Sequence, residues 1–132
     1  MSETVNSLPP TPAGPAALPH PNVVLATAEA RYRALFDHAQ VGILLADEKG
    51  YYIDANTAAC RMLGYTHAEL VGLHSADIIA PSDTTDIDPA IADIMARREH
   101  RREWRFRRKD GSQFAADVVG TAMPDGSILG LV

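Results

Sequence analysis

Residues 104–120 read WRFRRKDGSQFAADVVG, and the reading of this stretch decides the fold. Before Asp110 the residues alternate. Trp104, Phe106 and Arg108 fall on one side of an extended chain and Arg105, Arg107 and Lys109 on the other, because successive strand side chains point to opposite faces. Asp110-Gly111 then supplies a strong hairpin signal and predicts a type I′ turn, with positive φ at both central residues. The return strand is predicted from Phe114 to Met123. Pro124-Asp125-Gly126 makes a second turn, and Ser127 to Val132 begins a third strand.

Towards the N-terminus the periodicity changes. The apolar run that begins at Val41, the turn Asp47-Glu48-Lys49-Gly50 and the extended Tyr51-Tyr52-Ile53 read as a second hairpin. Asn56 is placed to cap a short helix that buries Ala59, Met62 and Leu63 and ends at Gly64. Thr66-His67-Ala68-Glu69 is a capping box, and Gly72 closes that turn. Ser75 starts another turn carrying Ile78 and Ile79, which Pro81 stops. Asp88-Pro89 reads as an N-cap with proline at the first helical position, opening the longest middle helix with Ile91, Ile94 and Met95 on one face. Thr27 caps an earlier amphipathic helix with the stripe Ala28, Tyr32, Leu35, Phe36 and Ala39. The order is helix, two strands, several short helices, three strands.

A length of 132 residues suits one domain. Residues 1–26 carry Pro9, Pro10, Pro12, Pro15, Pro19 and Pro21 without any apolar period, and predict a flexible arm that cannot bury enough surface to offset its own ordering. Residues 27–132 are then the folded domain. The net charge of −5 gives no general attraction for nucleic acid or a membrane surface. The single cysteine, Cys60, allows no internal disulfide and fits a reducing compartment. With no basic leader and no apolar run near the ~18 residues of a span, the expected location is the cytoplasm.

Taken together, these residues resemble a PAS domain over about residues 27–132. The resemblance rests on Gly42-Ile43 with Asp47 and Gly50, on Asn56-Thr57-Ala58-Ala59 running to Leu63-Gly64-Tyr65, and on Glu69-Leu70-Val71-Gly72. Arg108-Lys109-Asp110-Gly111-Ser112 and Gly130-Leu131-Val132 complete it. No single piece is specific; their order and spacing are. The resemblance implies an α+β fold with a five-stranded antiparallel sheet in the order B-A-I-H-G, short helices over one face enclosing a cavity, and an N-terminal amphipathic helix. It implies a sensory input module of a longer protein, a histidine kinase, a cyclic-di-GMP enzyme or a transcription regulator, cut before an output domain that follows Val132. Pro89 falls where the family has its long helix, which puts residues 83–88 of that helix in question.

Haem in this family is held by a histidine on that long helix, yet residues 83–98 contain none, and His74 and His100 only flank them. Haem is therefore not expected. The reactive cysteine of light-sensing relatives lies in an Asn-Cys-Arg-Phe-Leu-Gln motif, where this chain has His74-Ser75-Ala76-Asp77-Ile78-Ile79, and Cys60 on an earlier helix reads as an inert thiol. Covalent flavin is not expected either. Non-covalent flavin stays open, with Trp104 as a stacking partner. Strand and helix phase set Ile43, Leu45, Ile53, Met62, Leu63, Ile78, Ile91, Ile94, Met95, Trp104, Phe106, Arg108 and Val118 around the cavity. Of the basic run between Arg97 and Lys109 most members are a solvated face, while Arg108 or Arg102 is the candidate to grip a ligand carboxylate, making an organic acid the specific ligand expected. No phosphate loop, metal-ligand spacing or nucleophile elbow is present, so neither an enzyme nor a metal site is expected. The alternative to ligand sensing is a ligand-free homodimerisation module joined through Tyr32, Leu35 and Phe36.

Overall fold

Alternating residues at the C-terminal end pair into the long hairpin that organises the sheet. In a computed structural model that describes residues 20–132, the chain runs α1 (Pro21–His38), β1 (Ile43–Ala46), β2 (Tyr52–Ala55), α2 (Thr57–Leu63), α3 (His67–Leu70), α4 (Ser75–Ile78), α5 (Ile87–Arg97), β3 (Glu99–Arg107), β4 (Gln113–Ala122) and β5 (Ile128–Leu131). A 3-10 turn, Thr84–Asp86, leads into α5. The strands pair antiparallel in the order β2-β1-β5-β4-β3, the B-A-I-H-G order that the resemblance implies. Residues 34–132 form one unit, and residues up to Arg33 fall in another.

Leu44, Ala46, Tyr52, Trp104 and Phe106 point inward from the sheet and meet Ala59, Leu63, Leu70, Ile78 and Ile87 of the helical segment in one core. The opposite face differs between its two ends. On β3 it carries Arg101, Glu103 and Arg105, all exposed, whereas across β1, β5 and β4 it carries the rows Ile43–Leu131–Val119 and Leu45–Leu129–Thr121.

Asn56 caps α2 as its position predicts, and does more. Its side-chain oxygen accepts from the N–H of Ala59 at 3.0 Å and of Ile43 at 2.9 Å, and its amide donates to the carbonyls of Phe36 at 2.9 Å and Val41 at 3.0 Å. One fully buried side chain thus joins the last turn of α1, the start of β1 and the start of α2. The Thr66/Glu69 capping box forms around α3, and Gly64 ends α2 at φ 79°.

Several local expectations are corrected. The turns at Asp47, Arg108 and Met123 close alike, the N–H of Gly50, Gly111 and Gly126 donating three residues back at 3.0, 2.9 and 3.0 Å. In the central one only Gly111 has positive φ, so it is a three-residue loop closed by a left-handed glycine and not a type I′ turn. α5 starts at Ile87, and Pro89 is its third residue, where a missing N–H still costs no helical bond. α4 starts at Ser75 as expected, and its cap is His74, whose Nδ1 accepts from Ala76 N–H. α1 starts at Pro21 and not Thr27: proline suits a first helical position, and His20 Nδ1 accepts from Asn22 N–H at 3.1 Å. Residues 21–26 are therefore helical where an arm was expected, and residues 1–19 of that arm lie outside the described residues.

Candidate ligand-binding cavity

Small residues on the inner sheet face leave room that the helices roof over. Ala46, Gly120 and Gly130 from the sheet face Ala90, Ile91 and Ile94 of α5 across a cavity of about 110 Å³, with Leu44, Trp104, Phe106, Val118, Ile128 and Val132 on the sheet side and Ile79 and Ile87 on the helical side. Gly120 sets the closeness of α5: a Cβ there would stand 2.7 Å from Ile94 Cδ1. A side chain at that position would have to displace the Ile94 side chain from the sheet face.

The lining is apolar except at one corner, where Gly50, Tyr52 and Ser75 meet. Ser75 Oγ donates to the Gly50 carbonyl at 2.9 Å. Burial, reinforced by the Asp77 carboxylate and only partly offset by Ser75, pushes the Tyr52 phenol up to about 12.

The sequence pattern of the PAS domain family matches residues 40–132, which contain every residue of this cavity. The chain belongs to the PAS domain family. It is 33% identical to a domain of a sensory box sensor histidine kinase/response regulator from Geobacter sulfurreducens, with a TM-score of 0.73 over 81% of this chain and 94% of that one. The PAS domain of an HTR-like protein from Haloarcula marismortui shares the fold at a TM-score of 0.74 and 21% identity, over 83% of this chain and 93% of that one. Among full-length relatives, the two-component system protein A of Emericella nidulans is 35% identical over 68% of this chain, and the sensor histidine kinase TmoS of Ectopseudomonas mendocina 28% identical over 77%. The chain spans only 14% and 11% of their respective lengths.

Within this PAS domain, Ile91, Ile94, Trp104, Phe106 and Val118 of the sequence-derived set line the cavity. Leu63 and Ile78 are buried in the core beneath it without reaching the lining, and Met62 and Met95 are only partly buried beside it. Ile43, Leu45 and Ile53 are corrected to the opposite sheet face, one residue out of phase with the inward-facing Leu44, Ala46 and Tyr52. Periodicity could not choose, because β1 is apolar at every position. The small residues Ala46, Ala90, Gly120 and Gly130 were missed: a cavity is made where side chains are short, and apolar pattern marks where they are long.

The arginines are also placed elsewhere. Arg102 Nη1 and Nη2 hold Asp86 at 2.9 Å and Asp83 at 3.3 Å, and its guanidinium lies 3.9 Å from the Trp104 ring centre. Arg108 donates to Ser112 Oγ and the Met62 carbonyl and covers the Phe114 ring. Neither lines the cavity, so the expected grip on an organic acid has no cation to make it. His74 Nε2 donates to the Lys49 carbonyl at 2.8 Å while its Nδ1 accepts, and His100 pairs with Asp93 at 2.7 Å. No histidine lines the cavity, which does not fit haem, and about 110 Å³ does not admit an isoalloxazine ring. Cys60, half-buried on α2, has its thiol pushed up by burial and by the carboxylates of Asp54 and Asp37, which suits an inert group. Phe36 is buried within the domain and is withdrawn as a dimer contact; Leu35 beside it is exposed.

Proposed function

We propose that this PAS domain is a sensory input module that takes a small molecule into its cavity and relays occupancy through β5 to an output domain following Val132 in a longer signalling protein. The observation that carries the reading is the cavity itself, lying between sheet and helices and walled by Ile128, Gly130 and Val132 at the end of the sheet's central strand. A molecule seated there presses on the strand that leads out of the domain. Val132 also exchanges backbone hydrogen bonds with Gly42, at 2.8 and 3.2 Å, so the same strand end is tied to the segment that follows α1. The relatives' names favour a histidine kinase or two-component output over a cyclic-di-GMP enzyme or a transcription regulator.

The ligand is small and largely apolar. An empty apolar cavity of about 150 Å³ takes up benzene or xenon, whereas drug-sized ligands need roughly 300–1,000 Å³. Xenon under pressure is a direct test. It is expected to shift the amide resonances of Gly120, Gly130 and Val132, and Ala90→Phe, which fills the space from α5, is expected to abolish the shifts. Unchanged resonances at these positions would remove the ligand-sensing reading.

A second reading, homodimerisation, is favoured by the exposure of Leu35, 75%, and by the apolar rows Ile43/Leu131/Val119 and Leu45/Leu129/Thr121 on the outer sheet face.

A further inference from the structure

We propose that His74 is a proton-operated clasp at the polar corner of the cavity, closed while its imidazole is neutral and opened when the ring takes up a proton. This adds a mode of regulation to the sensory reading and rests on that reading only for its effect on a ligand. Two hydrogen bonds fix the ring. Ala76 N–H donates to Nδ1 at 3.0 Å, so Nδ1 carries no proton; Nε2 then carries it and donates to the Lys49 carbonyl at 2.8 Å. The first bond caps α4, and the second holds the turn that joins β1 to β2. Beside them the N–H and Oγ of Ser75 both donate to the Gly50 carbonyl, at 2.8 and 2.9 Å. His74-Ser75 thus clasps Lys49-Gly50, and Gly50 and Ser75 belong to the cavity wall. The fit is close, since a Cβ on Gly50 would stand 3.0 Å from His74 Nε2.

An imidazolium donates from both nitrogens and accepts at neither. A proton on Nδ1 sets N–H against the N–H of Ala76, and the cap bond is lost. The closed state excludes this proton and the open state binds it, so falling pH opens the clasp across the range, pH ~8 to ~5, in which histidines change charge. None of the charged groups around the closed ring accepts from Ala76. From α4, Asp77 Oδ2 accepts the backbone N–H of His74 at 2.9 Å, and the Asp77 carbonyl accepts from Arg107 of β3 at 3.2 Å. In the turn, Asp47 Oδ1 accepts from the N–H of Lys49 and Tyr51 at 2.9 and 3.0 Å, and Glu48 and Lys49 are exposed. Tyr51 meets the imidazole edge-on with ring centres 4.8 Å apart, and α5 reaches this corner with the uncharged Ile91.

Imidazole nitrogen shifts in the 132-residue chain are expected to show the Nε2–H tautomer of His74 at about pH 7.5. As that ring titrates, the Ala76 amide is expected to lose roughly fivefold of its protection from hydrogen exchange, after correction for the intrinsic rate, the equivalent of a lost helix cap. Xenon binding is expected to weaken by a similar factor over the same range. His74→Asn keeps a side-chain acceptor at the cap and cannot titrate, and is expected to flatten both responses while leaving His67 and His100 in place. An Nδ1–H tautomer at about pH 7.5, or Ala76 protection that ignores the protonation of His74, overturns the clasp. Ala76 protection that falls while xenon binding stays constant overturns its hold on the cavity and leaves the sensory reading standing. Failure of xenon to enter at any pH overturns the sensory reading, and Ala76 alone then decides the clasp.

Discussion

Gly111 shows how one residue carries a hairpin. Its φ of 90° lies in the left-handed region, and no atom lies within 4 Å of where a Cβ would stand, so a side chain there meets backbone strain and nothing else. Gly111→Val is expected to lower stability by roughly 1–3 kcal/mol, read as a lower urea midpoint at unchanged slope. An unchanged midpoint would mean that the β3–β4 loop has another conformation. Tyr52 makes a second prediction at this scale. Its phenol titrates at about 12 when folded against 10.0 as the ordinary value, so below pH ~10 both states hold the proton and the group has no pH effect. Between pH ~10 and ~12 the unfolded chain releases the proton and the folded one keeps it, and stability falls as pH rises. Tyr52→Phe is expected to flatten that fall in urea midpoints measured from pH 9.5 to 11.5; parallel curves for the two proteins would contradict it.

At the level of elements, amphipathic pattern was reliable where one face is charged and failed where both are apolar. β3 alternates Arg101, Glu103 and Arg105 with Arg102, Trp104 and Phe106, and its inward face was legible. β1 reads Ile-Leu-Leu-Ala, and its phase came out one residue wrong. The same limit affects α1, where Tyr32, Leu35 and Phe36 form one stripe in the sequence although the structure treats the last two differently. Phe36 is 5% exposed and its carbonyl is held by Asn56, while Leu35 is 75% exposed. Phe36→Ala is therefore expected to cost about 3–5 kcal/mol, as for other buried phenylalanines, and Leu35→Ala within about 0.5 kcal/mol. Chemical denaturation of the two variants decides it; similar losses would return Phe36 to the surface stripe.

For the whole molecule, the outer sheet face is charged on β3 and apolar on its neighbours, and the proposed homodimer would cover that apolar half and the exposed Leu35. Sedimentation at about 100 µM is expected to show a dimer if the affinity is micromolar, and Leu35→Asp to shift it towards monomer; a monomeric wild type sinks the dimer. The sequence by itself determined the element order, the hairpins, the caps at Asn56 and Thr66 and, through the spacing of these pieces, the PAS family. Those are signals of local chemistry: a left-handed glycine, a capping oxygen, a two-residue period against a charged face. Tertiary structure alone decided which face of β1 and β2 looks inward, that Phe36 is buried, that Arg102 and Arg108 are engaged away from the cavity, and that Gly120 and Ala90 open a space between sheet and helix. Each of these depends on what another segment places opposite the residue, and burial, ion pairing and empty volume are properties of such pairs.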